Sequence, residues 1–231
     1  RVVPHGIPEA AARHAGTRTA VLLPDDGVPT VAVLGAVGPD KGARRIERLV
    51  ELARERGSNV RFVLIGYLDR QHAAWQSDDA RFTVHGRYDP RDLPDLLAHY
   101  RVSLVLYPSA GPETFSYTLS EAWSAGRPVL VPPIGALPER VLPTGAGWVL
   151  DDAEWRDEPR MLDRIEVLLA PSRADDLARA TVAASCSAAS SAARRRRSSR
   201  APSTAPAPTS RSTRRPTLPS VSPPAPSRPT A

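Results

Sequence analysis

The 231-residue chain is poor in several residue types at once: it has one cysteine, Cys186, one methionine, Met161, and one lysine, Lys41, which leaves 31 − 1 = 30 of its basic side chains as arginine. A lone cysteine excludes an intrachain disulfide and fits a reducing compartment. No run approaches the ~18 uninterrupted apolar residues of a membrane span, and no signal peptide opens the chain. The expected location is the cytoplasm, with peripheral membrane contact left open. Acids are missing from residues 186–231, which hold nine arginines. Removing them from the net charge of +6 leaves +6 − 9 = −3 for the rest, so the basic character belongs to the end of the chain and not to its body. The run Arg194 to Arg197 lacks interleaved aromatics to stack bases, and no specific nucleic-acid partner is expected. Beyond Cys186 only Leu218 and Val221 are large aliphatics. Residues 185–231 therefore lack the apolar surface to offset their ordering entropy and are expected to be a disordered tail. The arginine-for-lysine usage is that of a G+C-rich genome, and such DNA read in the wrong frame would also yield a tail of Arg, Pro, Ser, Ala and Thr. A chain opening on Arg1 is expected to be a fragment.

Apolar, β-branched runs recur at intervals that leave room for helices: Thr30 to Val37, Arg61 to Tyr67, Arg81 to His85, Val102 to Tyr107, Pro128 to Val131 and Gly147 to Leu150. Continuous apolar runs of this length read as parallel strands buried on both faces. Between the first two, Ile46, Leu49, Val50 and Ala53 fall at helical spacing opposite Arg44, Glu47, Arg48 and Glu51, which predicts an amphipathic crossover helix over 43–56. Asp89, Pro90 and Asp92 signal another helix start, and a last helix is expected over 158–180. Strand and helix in alternation predict an α/β fold with a doubly wound, mostly parallel sheet.

The first strand runs into Gly35-Ala-Val-Gly38-Pro-Asp-Lys41-Gly42 and then a helix. Glycines admit close approach of a ligand, a helix start offers N–H groups, and Lys41 adds a full charge, a combination suited to a diphosphate. A tight turn with a solvated lysine explains the same residues. Downstream, PETFSYTLSEAWSAG places Glu113 in the loop after the fourth run and Glu121 about two turns into the next helix. In an open α/β sheet, ligands bind at that edge. A carboxylate at Glu121 can accept from both hydroxyls of a ribose, Glu113 can reach a sugar, and the N–H groups of Thr114, Phe115 and Ser116 at the helix start would add positive potential. Solvent-facing helix glutamates are the plain alternative.

In order along the chain, Val3-Pro-His-Gly-Ile, Leu34 to Gly42, His85-Gly86, Pro108-Ser109, the Glu113 to Glu121 segment, Ile134-Gly-Ala-Leu-Pro-Glu139 and Gly145-Ala-Gly147 resemble the carboxyl-terminal, nucleotide-sugar-binding domain of retaining glycosyltransferases of the GT-B fold, the glycosyl transferases group 1. The resemblance covers about residues 1–170. It implies a Rossmann-like domain over 23–184, preceded by the remnant of an interdomain linker over 1–22. It implies transfer of a sugar from a nucleotide diphosphate sugar to the hydroxyl of a glycan or lipid-linked acceptor, with retention and without a metal or other cofactor, the expected products being cell-surface polysaccharide or glycoconjugate. Lys41 would bind the distal phosphate, Glu113 the sugar and Glu121 the ribose; Gly35, Gly38 and residues 114–116 would line the donor, and Gly86, Arg87 and Tyr88 would lie by the nucleobase. Gly135 and Glu139 carry a weaker expectation. The chain departs from the family pattern in having Ala36 where an arginine is usual and Ser116 where a glycine is, and the family's amino-terminal acceptor domain is expected to lie outside this fragment. A nucleic-acid-associated protein acting through its tail and another doubly wound enzyme, an epimerase or phosphorylase relative, are the competing classes.

Overall fold

A computed structural model describes residues 21–69 and 72–199, with side chains as far as residue 189. Most of the expected linker and the tail beyond residue 199 lie outside the described residues. The elements in chain order are β1 (Thr30–Val37), α1 (Ala43–Glu55), β2 (Arg61–Leu68), β3 (Trp75–Gln76), β4 (Phe82–Val84), α2 (Leu93–His99), β5 (Val102–Leu106), α3 (Tyr117–Ser124), β6 (Val129–Val131), α4 (Ala136–Val141), β7 (Gly147–Val149), α5 (Asp152–Arg156), α6 (Glu158–Leu169) and α7 (Ala174–Ser199). Short 3-10 turns occupy Pro90–Asp92 and Pro171–Arg173.

The seven strands form one sheet in the order β3-β4-β2-β1-β5-β6-β7. All pairs are parallel except β3 with β4. Starting from β1, the chain winds outward through β2 to β4, returns to β5 on the other side of β1, and winds outward again. The order therefore reverses between β1 and β5, and at such a switch point the two flanking loops splay apart above the strand ends.

Side chains of alternate strand residues enter two cores. Val31, Val33, Phe62, Leu64, Leu104 and Leu106 pack beneath α1 and α6 through Ile46, Leu49, Met161 and Ile165. Ala32, Leu34, Val63, Ile65, Val102 and Val105 pack on the other face against Leu96 of α2, Leu119 and Trp123 of α3, Leu137 of α4 and Ala184 of α7. Helices on both faces bury both sides of the strands, which is why β1 and β2 read as unbroken apolar runs.

Three elements differ from expectation. The expected helix over 158–180 breaks at Ala170, whose extended backbone precedes Pro171, so α6 and α7 are separate. The last helix then continues to Ser199, across the position where composition predicted disorder to begin. Among its residues past 184, Ala188 packs against the second core. Strand β3, two residues at the sheet edge, was not anticipated.

Near their carboxyl ends, β1 and β2 face each other through glycines. Gly66 faces Gly35 in the strand register, and a Cβ on Gly66, at φ +141°, would lie 1.9 Å from the Gly35 carbonyl oxygen. Gly66→Ala is expected to destabilise the protein by about 3 kcal/mol through strain and forced strand separation, read as a lower urea midpoint in chemical denaturation.

Candidate functional site

Three loops at the carboxyl ends of the parallel strands are tied together. The β1–α1 loop turns on Gly38, whose carbonyl accepts from the amides of Lys41 and Ala43, both at 3.1 Å. Gly42, at φ +87°, then lets this loop lie directly on the one after β5, where an added Cβ would sit 2.2 Å from the Pro108 carbonyl oxygen. The Asp40 carbonyl accepts from the amides of Ala110 and Gly111, at 3.0 and 3.3 Å. On the far side, Ala136 of α4 donates its amide to the Glu113 carbonyl at 2.9 Å. The exposed Lys41 and the half-buried Glu113 thus sit on abutting loops at the switch point.

The loop after β5 is also held from below. Arg45 of α1 donates to the carbonyls of Pro108 and Ser109 at 3.4 and 3.5 Å, while its Nε pairs with Glu158 at 3.1 Å. Trp155 donates its ring N–H to the Ser109 carbonyl at 3.0 Å and lies under the Arg45 guanidinium. The Ser109 hydroxyl points to Glu113 Oε1 at 3.4 Å. Neither Arg45 nor Trp155 was singled out by the sequence, because their partners are backbone carbonyls more than forty residues away.

Glu121 occupies a different environment. It is half-buried on α3, and burial pushes its carboxyl above the ordinary glutamate range. Tyr88 lies near enough that, after burial, the Glu121 charge is the next cause holding its phenol in the protonated form. Tyr107, which ends the β5 run, is buried and its hydroxyl has no well-formed hydrogen bond. Burial raises its pKa far above the usual tyrosine value; Thr118 opposes the rise, and the charges of Glu113 and Glu121 add to it. The residues after β4 and those of α3, distant in sequence, therefore surround one another. Arg87 stands over the Tyr67 ring at 4.6 Å, and the buried Gly86 donates its amide to the Gly66 carbonyl at 2.8 Å.

Three local expectations need correction. Helix α3 begins at Tyr117, so Glu121 lies just over one turn into it and not two. Thr114, Phe115 and Ser116 precede the helix in a turn, with Ser116 at φ 63°, and do not form its first turn. The amides of Lys41, Gly42 and Ala43 are engaged by carbonyls of their own loop, Gly42 through Pro39 at 3.0 Å. Gly38 acts as the acceptor of that turn, and Gly35 lies under Thr118 at the start of α3, 3.8 Å from where its Cβ would be. Gly135 and Glu139 are exposed.

The fold is the Rossmann-like half of a GT-B protein, with its loops gathered where such sheets bind ligands. The chain belongs to the glycosyl transferases group 1, whose family model matches residues 28–183. No curated protein matches it in sequence. Among solved structures it is similar to sucrose-phosphate synthase from Thermosynechococcus elongatus, with 22% identity and a TM-score of 0.55, over 77% of this chain and 46% of that one. It is also similar to Anabaena HepE in complex with UDP, with 18% identity and a TM-score of 0.51, over 71% and 44%. A third is the C-terminal domain of a glycosyl transferase group 1 family protein, LpcC, from Francisella tularensis, with 15% identity and a TM-score of 0.50, over 70% and 83%. The chain spans less than half the length of the first two.

The environment of Glu121 gives a stability test. Its folded pKa is raised, so the buried charge opposes folding at neutral pH. That penalty vanishes below the ordinary value of 4.5, where the carboxyl is protonated folded or unfolded. Glu121→Gln is therefore expected to raise the melting temperature at pH 7 by about 2 °C and to have no such effect at pH 4, in thermal melts followed by circular dichroism.

Proposed function

We propose that this chain is the donor-binding half of a retaining glycosyltransferase that takes a nucleotide diphosphate sugar and passes the sugar to a hydroxyl of a glycan or lipid-linked acceptor in cell-surface polysaccharide or glycoconjugate assembly. The observation that carries this reading is the placement of Lys41 and Glu113 on abutting loops at the switch point, with Glu121 on the helix that follows. The similarity to a protein solved with UDP supports a nucleotide donor.

In this reading the reaction breaks the bond between the anomeric carbon and the distal phosphate oxygen, and charge develops on both fragments. Lys41, the only lysine, meets the departing diphosphate. Glu113, steadied by Ser109 and by the Ala136 amide on its own carbonyl, faces the sugar as it gains positive character. Fixed charges and dipoles aimed where charge develops typically lower such barriers by several kcal/mol. The sequence holds no Asp-x-Asp metal motif, and leaving-group stabilisation falls to Lys41. Glu121 takes the ribose hydroxyls, and the partly desolvated state of its carboxylate strengthens those hydrogen bonds. The nucleobase lies toward Gly86, Arg87 and Tyr88. Acceptor and closure over the donor come from an amino-terminal domain. In this reading the reaction is cytoplasmic and contact with lipid-linked substrates is peripheral; among the described residues no helix is long and apolar enough to cross a membrane.

Calorimetric titration of the full chain with UDP, GDP and their sugar conjugates tests the reading. One base series is expected to bind, with Lys41→Ala and Glu121→Ala each weakening it by about ten- to a hundredfold, the loss of one charge-assisted contact. Affinity unchanged in both variants would contradict it.

A further inference from the structure

The turn that leads into α3 is strained, and the side chain that holds it comes from another element. Ser116 sits at φ 63° and ψ 98°, backbone that disfavours any residue carrying a Cβ. Its side chain makes no capping hydrogen bond to the helix; its hydroxyl lies 3.2 Å from that of Thr118. Arg140 of α4 supplies the restraint. One guanidinium nitrogen donates to both the Phe115 carbonyl, at 2.5 Å, and the Ser116 carbonyl, at 2.8 Å. The other donates to the Ser120 hydroxyl at 2.6 Å. The guanidinium plane lies over the Phe115 ring at 4.4 Å and the Trp123 ring at 5.5 Å.

Arg140 is half-buried and forms no ion pair with a carboxylate among the described residues. Its donors go to two successive carbonyls on either side of the Ser116 Cα. Because each peptide unit is planar and trans, fixing the carbonyls of Phe115 and Ser116 also fixes the N–H groups of Ser116 and Tyr117, which point away from Arg140. Neither peptide unit can then rotate to let Ser116 relax. Two aromatic faces and a hydroxyl orient the guanidinium itself, and only a planar fork meets all of these partners together.

We propose that Arg140 is a positioning residue that clamps Ser116 in its positive-φ conformation and so sets the Glu113–Ser116 turn for the diphosphate sugar, a role that rests on the donor reading above. The clamp makes the two residues energetically coupled. A glycine at 116 would adopt the same turn without strain and would no longer need the arginine.

The test is a double-mutant cycle in the full chain with Ser116→Gly and Arg140→Gln, read both as melting temperature and as affinity for UDP and GDP. Ser116→Gly alone is expected to raise the midpoint by about 2–4 °C, and to do much less in the Arg140→Gln background, where Ser116 has already relaxed. Arg140→Gln is expected to weaken nucleotide binding about tenfold, the loss of one or two hydrogen bonds, with Ser116→Gly restoring it in the double variant. Arg140→Lys, which keeps the charge but loses the fork, should behave like Arg140→Gln and serves in its place if that variant does not fold. Equal melting increments in both backgrounds would overturn the clamp. Coupled melting with nucleotide affinity unchanged in Arg140→Gln would overturn its role in positioning the donor. A native chain that binds no nucleotide would overturn the donor reading and the positioning role with it, while the melting cycle would still decide whether the clamp exists.

Discussion

The arrangement depends on one close approach, that of the β1–α1 loop to the β5–α3 loop across the switch point. Gly42 lies where a side chain would collide with Pro108, and the Asp40 carbonyl accepts from two amides of the opposite loop. Without this contact, the parallel sheet would still form, because β1 and β5 pair directly. The cation of one loop and the carboxylate of the other would no longer be held at a common edge. The sheet provides the position and the backbone contact provides the spacing, which leaves Lys41 and Glu113 free of structural duty in the strands.

Electrostatics around this edge is divided between support and exposure. Arg45, the arginine beneath the loop, is neutralised by Glu158 and spends its remaining donors on carbonyls. Arg140 likewise spends its donors on backbone and a hydroxyl. Both arginines act on the shape of the loop, whereas Lys41 is exposed. On the helix, Glu121 is kept partly buried at a cost to stability, the pattern expected where a side chain is retained for what it binds and not for what it packs against.

How much of this was legible depended on whether the deciding contacts were local. Six parallel strands showed in the sequence because helices cover both faces of the sheet, and full burial leaves an unbroken apolar, β-branched signature. Trp75 and Gln76 pair as a two-residue edge and show no periodicity. The break between α6 and α7 was written in Pro171, but the helical spacing of the flanking leucines masked it. Composition alone missed the helical stretch after residue 184: extending an anchored helix needs only propagation, for which alanine and arginine are well suited. Lys41, Glu113 and Glu121 were singled out as candidates through motif order and loop position. Arg140, Arg45, Trp155 and Tyr107 were not, since an arginine that binds carbonyls across the fold has the same local signature as a solvated one.

The most direct test of the central claim, that the loops of residues 38–42, 86–88 and 113–121 form one binding site, is hydrogen exchange of the full chain with and without saturating UDP or GDP, whichever binds. The account predicts that amide protection rises in all three segments together, with little change at the opposite, amino-terminal ends of the strands. Protection confined to one segment, or appearing away from the β1–β5 switch point, would contradict it.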